Sequence, residues 1–266
     1  MNPTPQPAGR ALITGASGGI GYELAKCFAR DGIGLVLVAR HEAPLRAAQH
    51  ELASQFGIEV TYQALDLSEA GQAAALYAWC QAQPFHVQYL VNNAGYGDYG
   101  PVAQAAPVVY ENMLALNVMA LTTLTTCFAA DMVRRRQGRI LNVGSLAAFQ
   151  PVPQLAAYAA SKSYVMHFTE ALHAELRGTG VSATVLNPNV TKTGFVARAG
   201  MEKAANAQGR QAEASAVAAA GYRGMQRARL NVVPGWVNQL LALSTGLMPS
   251  RRLLLAIATR VARASR

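Results

Sequence analysis

Tyr158 and Lys162 stand four residues apart in the run Ala156-Ala157-Tyr158-Ala159-Ala160-Ser161-Lys162. On a helix, positions i and i+4 share a face, so the ammonium sits beside the phenol and favours its ionised form. A free tyrosine titrates near ~10, and bringing it to neutrality takes ~4 kcal/mol. One ammonium at ~4 Å supplies about that much at an effective dielectric of ~20. The pair therefore reads as a proton-transfer device tuned by one cation. Upstream, Thr14-Gly15-Ala16-Ser17-Gly18-Gly19-Ile20-Gly21 carries a different chemistry. A strand-like run ending at Thr14 feeds this turn and an amphipathic stretch follows it, the context in which a helix N-terminus presents unpaired N–H groups to phosphates. Gly15 permits the tight turn, and Gly19 and Gly21 permit close approach of a pyrophosphate and of the helix to the strand. Ser17 and Ile20 are the turn's other expected dinucleotide contacts.

These two devices need a scaffold, and the chain between and beyond them supplies one. Seven short β-branched runs, Arg-Ala-Leu-Ile-Thr first and Leu-Asn-Val-Val last, alternate with helical patterns near 19–31, 42–56, 69–82, 108–135 and 154–177. The alternation predicts an α/β fold: a single Rossmann-type doubly wound parallel sheet of about seven strands with helices on both faces. One domain, residues 10–266, follows a Pro-rich lead over 1–9 that reads as disordered and lacks the apolar run of a signal peptide. Residues 194–228 break the alternation and read as a mobile lid over the strands' carboxyl ends.

The net charge of +9 is concentrated late, because eight arginines and no carboxylate side chain follow Glu213. No binding motif or aromatic-interleaved basic stretch points to nucleic acid. The cysteines at 27, 80 and 127 are unpaired in spacing, which fits thiols of a reducing, cytoplasmic protein and offers no metal site.

An NAD-selective turn has an acidic residue at the end of the second strand to bind the ribose 2′-hydroxyl. Here that strand ends Val38-Ala39-Arg40-His41, and a guanidinium suits the 2′-phosphate of NADP instead. NADP(H) is therefore favoured over NAD(H). Asp66, with Leu67 after it, is placed to reach the adenine, or equally to cap a helix beginning at Ser68.

Together these residues resemble the short-chain dehydrogenase/reductase family, of its NADP-preferring type. The resemblance covers roughly residues 8–193 and rests on the glycine turn, Asn92-Asn93-Ala94-Gly95, Asn117 in Ala-Leu-Asn-Val, Ser145 in Asn-Val-Gly-Ser, and Tyr158 with Lys162. It implies hydride transfer between the nicotinamide and a carbonyl or secondary alcohol. Tyr158 is then the proton donor, Ser145 orients the carbonyl oxygen, Lys162 binds the ribose hydroxyls, and Asn117 holds a water that links Lys162 to solvent. Asn93, Ala94 and Gly95 line the cofactor site, and Pro188, Thr191 and Thr193 reach the nicotinamide end. The chain departs from the family at Pro188-Asn189, where Pro-Gly is usual. Asn tolerates positive φ best among non-glycine residues, so the turn is expected to survive.

Substrate-pocket candidates follow the serine and the fourth strand: Tyr96, Tyr99, Leu146, Phe149, Val152, Leu155 and Phe195. They are mostly apolar and favour a hydrophobic ketone, aldehyde or 3-oxoacyl compound over a sugar. The family implies a homodimer or homotetramer. For the basic amphipathic segment 235–266, three placements stay open: a membrane surface, a partner subunit, or a cover over the substrate. The competing reading, a catalytically silent NADP-binding scaffold, accounts for the glycine turn and gives no reason for the complete Asn117-Ser145-Tyr158-Lys162 set.

Overall fold

The computed structural model describes residues 9–201, 211–248 and 250–264. Six strands, β1 (Gly9–Thr14), β2 (Leu35–Ala39), β3 (Val60–Ala64), β4 (His86–Asn92), β5 (Gly138–Val143) and β6 (Val181–Leu186), belong to one parallel sheet. After them come a two-stranded ribbon of β7 (Thr191–Lys192) and β8 (Ala212–Glu213), then β9 (Asn231–Val232), which closes the sheet edge. The sheet order is β3-β2-β1-β4-β5-β6-β9, so the winding direction reverses between β1 and β4. That reversal opens a crevice at the strands' carboxyl ends, where open α/β sheets bind ligands. All seven strand runs read from the sequence lie in this sheet. Gly9, assigned to the lead, already begins β1, and residues 1–8 lie outside the described part.

Alternation along the strands sends side chains to two cores. Ala11, Ile13, Leu35 and Leu37 pack on one face, while Leu12, Val36 and Val38 pack on the other, all fully buried. Burying each such leucine or valine contributes about 1.5–3 kcal/mol, so both faces need helical cover. The first face is covered by α1 (Gly19–Arg30) and α2 (Glu42–Phe56), and the second by α3 (Gln72–Gln81) and the helical run from 107 to 135.

That run is not one regular helix. It is α4 (Pro107–Leu114), a π-helical turn (Ala115–Ala120) and α5 (Leu121–Arg135). Next comes α6 (Ala156–Glu175), which carries Tyr158 and Lys162 on its buried side.

The expected lid, 194–228, divides. Its start forms the short α7 (Phe195–Arg198) beside the cleft, residues 202–210 lie outside the described part, and 214–226 is a packed sheet helix, α8 (Ala214–Gln226). Val217, Ala218 and Met225 of α8 are buried in the first core, and Tyr222 meets the Phe28 ring edge-on at 4.8 Å. A Cβ at Gly221 would lie 2.6 Å from Leu186 and one at Gly224 2.2 Å from Val232, so these glycines let α8 lie flat on β6 and β9. This half of the expected mobile lid is therefore a close-packed part of the fold. Two helices end the described chain, α9 (Trp236–Leu247) and α10 (Arg251–Ala264).

Candidate active site

At the end of β1, Gly15 adopts φ +65, and a Cβ there would meet Asn93 Nδ2 at 2.7 Å and Ala94 Cα at 3.0 Å. Gly21 is closer still, with Gly15 O at 2.3 Å from its hypothetical Cβ. Thr14 stitches the two loops together, its hydroxyl accepting from the N–H groups of Asn93 and Ala94 at 3.0 Å each. The Asn93 amide donates to the carbonyls of Thr14 and Gly15. The turn is thus a rigid backbone cradle. Helix α1 begins with Gly18 at its N-cap, makes no side-chain cap hydrogen bond and carries no acid in its first turn. Its first N–H groups therefore remain available to an anion, and nothing lies within 4 Å of a Cβ built on Gly18, so the approach is open.

Further along this end, Arg40 is exposed at the rim, with one guanidinium nitrogen 3.9 Å from Asp66 Oδ2. Asp66 is committed elsewhere, because its Oδ1 accepts from the backbone and hydroxyl of Ser68 at 2.9 and 2.6 Å. Burial pushes its carboxyl up, but the Ser68 hydrogen bonds, with Arg40 and His41 nearby, outweigh that and hold it low. Asp66 thus closes a local turn with Ser68, and it caps no helix, because α3 begins later, at Gln72, with Gly71 at its N-cap. Leu67 lines the cleft while Asp66 stands behind it.

The four residues singled out by the resemblance converge where the cradle meets β5 and α6. Lys162 is 4% exposed and donates from Nζ to Val143 O at 2.8 Å, with Nζ 5.9 Å from the centre of the Tyr158 ring. Ser145, after β5, is fixed at both ends: its N–H donates to Asn187 Oδ1 at 2.9 Å and its hydroxyl accepts from Ala147 N at 3.1 Å. Asn117, in the π turn, accepts from Tyr96 N with Oδ1 and donates from Nδ2 to Tyr96 O and Ser161 Oγ. A Cβ on Gly95 would stand 2.8 Å from Asn117 Oδ1 and 3.4 Å from Lys162 Nζ, so these two groups flank one glycine.

Burial governs the proton affinities. It pushes Tyr158 up to about 12, with hydrogen bonding to the Ser145 side chain pulling the other way, and brings Lys162 down to about 8. The expected lowering of the phenol by Lys162 is not seen: burial outweighs the Ser145 hydrogen bond, and Lys162 is not among the groups that shift it. The phenol is protonated, and burial by itself makes it a weaker acid than a free tyrosine.

Beyond Tyr158 the cleft, about 850 Å³ in volume, turns apolar. Leu155 and Tyr158 cluster with Met113, and Tyr96, Val152 and Phe195 pack against them, the Phe195 ring 5.5 Å from that of Tyr158. Gly97 makes this possible, since a Cβ there would crowd both Phe195 and Tyr158 at 3.2 Å. Leu146 and Phe149 line the same wall. The Tyr96 hydroxyl is spent on Val109 O, whereas the Tyr99 hydroxyl is buried against the cleft with no partner among the described residues.

On the floor, Pro188, Thr191 and Thr193 line the cleft as expected. Thr193 lies under Gly19, and Thr191 donates to Asn189 O at 2.8 Å. Asn189 does not use positive φ: among the described residues only Arg136, Gln154 and Ala228 do so without being glycine. Instead its Oδ1 accepts from Val190 N at 2.8 Å and its Nδ2 donates to Asn238 of α9 at 3.0 Å.

Sequence reasoning missed two things. One is Asn187, fully buried beneath Ser145 and tied through Asn231 to Glu170 of α6. The other is the Met113 contribution. Of the placements left open for 235–266, a cover over the cleft is seen, with Leu241, Ala242, Thr245 and Leu254 of α9 and α10 facing it. Only Asn187 left a signal, standing just before the departure at Pro188-Asn189.

The profile of the family described as short chain dehydrogenase matches residues 10–204. The chain belongs to this family. It is 35% identical over 189 residues to the probable oxidoreductase EphD of Mycobacterium tuberculosis, an alignment that takes in 71% of this chain and 32% of that protein. The chain thus spans about a third of the length of that relative. Among solved structures, a short-chain dehydrogenase from Sphingobium yanoikuyae in complex with NADPH superposes with a TM-score of 0.81 at 31% identity, covering 90% of this chain and 94% of that one. The bulky-bulky ketone specific alcohol dehydrogenase of Comamonas testosteroni gives 0.77 at 28%, covering 92% and 94%.

Proposed function

We propose that this short-chain dehydrogenase is an NADP-preferring reductase of bulky apolar ketones, aldehydes or 3-oxoacyl compounds. One observation carries the reading: the Tyr158 phenol and Ser145 hydroxyl stand at the junction of the glycine cradle and an apolar pocket within one cleft. The cradle fits a dinucleotide, because a side chain at Gly15 or Gly21 would collide with the loop backbone and the open N-terminus of α1 lacks any internal anion. Bound there, the nicotinamide supplies or accepts the hydride.

This chain's residues do the rest. Tyr158, held protonated by burial, donates its proton to the carbonyl oxygen, and Ser145, locked by Asn187 and Ala147 N, aims a second donor at that oxygen. Lys162 is assigned to the ribose hydroxyls, and its ammonium persists only below about 8. Asn117, bound to the backbone of Tyr96, holds the loop beside Gly95 and Lys162 in place. Arg40 is assigned to the 2′-phosphate, supported by the lack of a strand-end carboxylate and by its exposure at the rim. The NADPH complex of the Sphingobium relative and the bulky ketones of the Comamonas one agree with these assignments.

The test is NADPH and NADH oxidation over a panel of small ketones, bulky aryl or alicyclic ketones, aldehydes and 3-oxoacyl thioesters. Turnover of bulky apolar carbonyls with NADPH is the expected result. Cofactor binding without turnover of any carbonyl would leave the silent-scaffold reading in its place.

A further inference from the structure

Nine of the fifteen large apolar side chains exposed among the described residues lie between 236 and 257, in the last two helices. On α9 they form a stripe: Trp236, Leu240, Leu243 and Leu247, spaced by four, three and four residues, are 73%, 57%, 61% and 74% exposed. The opposite side of α9 points inward, with Asn238 bound to Asn189 and Ala242 and Thr245 lining the cleft. So α9 is clad in apolar groups on its outer face while its inner face is already in use. It contains no charged residue.

Its neighbour α10 divides in the same way. Leu254 and Ala258 are buried toward the cleft, and Leu253, Leu255, Arg251, Arg252 and Arg260 are exposed. No carboxylate side chain follows Glu213 to offset the arginines. Apolar groups beside uncompensated cations complement an anionic lipid interface, where the former enter the acyl boundary and the latter pair with headgroups. Pairing with a second copy fits less well, since a two-fold contact through this segment would cover the arginines of α10 with a surface that offers them no carboxylate side chain.

We infer that the segment of α9 and α10 docks this enzyme on an anionic membrane surface and admits its apolar substrate from the lipid into the cleft. The second half of the inference rests on the proposed apolar carbonyl substrate, and the first half does not. The wall between lipid and cleft is a single helix, ~10 Å across, so a lipidic ketone need not cross bulk water to reach Tyr158.

The full chain, with Trp79→Phe so that Trp236 is its sole tryptophan, is mixed with vesicles of phosphatidylcholine alone or with phosphatidylserine. Sedimentation at low salt is expected only with phosphatidylserine, with a blue shift of Trp236 emission, and high salt should weaken it about tenfold or more. The variant Leu240→Gln/Leu243→Gln/Leu247→Gln, which alters only exposed positions, should lose about tenfold or more in vesicle binding and in turnover of a vesicle-borne long-chain ketone. Its rate on a small water-soluble ketone should stay unchanged. No sedimentation with phosphatidylserine at low salt overturns docking, as does a dimer that the triple variant splits without any vesicle binding. Vesicle binding with no turnover of any carbonyl would uphold docking and remove the substrate reading.

Discussion

At the phosphate end of the cleft the wall is backbone: glycines at 15, 19 and 21, the Thr14 hydroxyl and the first N–H groups of α1. At the substrate end the wall is side chains drawn from α4, α6, α7, α9 and α10, which come from distant parts of the sequence. The first end tolerates almost no change in volume, because a Cβ at Gly15 or Gly21 meets backbone atoms at 3.0 Å or less. The second is built of flexible apolar groups that can be exchanged for others of similar size. A cleft of this kind keeps one cofactor and varies its substrate.

The sharpest way to break the comparison lies at the junction. Tyr158→Phe removes the proton donor and should cut kcat by about a thousandfold while NADPH still quenches protein fluorescence with near-unchanged affinity. If most of the rate survives, the junction is not where proton transfer occurs. At the phosphate end, Arg40→Ala should weaken NADPH about ten- to a hundredfold and leave NADH nearly unaltered, measured by titration of each. Equal losses would make Arg40 a structural residue of the β2 end. Proton affinity gives a third handle. Lys162 is lowered toward about 8 by burial, so its charge is complete below that pH and lost above it. NADPH-dependent reduction should fall by about tenfold per pH unit above 8, with the loss in kcat/KM. A flat profile to pH 10 would remove the ammonium from the mechanism. The smallest effect is expected at the substrate end, where Tyr99→Phe deletes the unpartnered hydroxyl. Substrates bearing a second oxygen should lose about three- to tenfold in kcat/KM, and plain hydrocarbon ketones nothing.

The same division explains what was legible in the sequence. The glycine turn, the Asn93-Ala94-Gly95 loop and the Tyr158–Lys162 spacing are local signals, and each appears where its spacing put it. Strand runs were legible for the same reason, since a short β-branched run between two helical stretches marks a buried parallel strand. The identity of α8 was not, because Gly221 and Gly224 look like flexibility until Leu186 and Val232 are seen beneath them. Nor was the role of Asn189, whose side chain, rather than its backbone freedom, replaces the usual glycine by tying the loop to Asn238. The proton affinity of Tyr158 was misjudged because charge proximity shows in spacing, whereas burial depends on Gly97, Phe195 and Met113 arriving from elsewhere.

The π turn at Ala115–Ala120 has one more consequence. A helix whose hydrogen bonds span five residues rather than four carries one residue more than its axial length requires. Deleting a single residue between 115 and 120 would relax the run into a regular α-helix and leave a chain well able to fold. Everything on one side of the deletion would then be turned by about 100° relative to the other, carrying Asn117 away from Tyr96 or α5 away from the sheet. What places Asn117 against Tyr96 is therefore a count of residues as much as an asparagine.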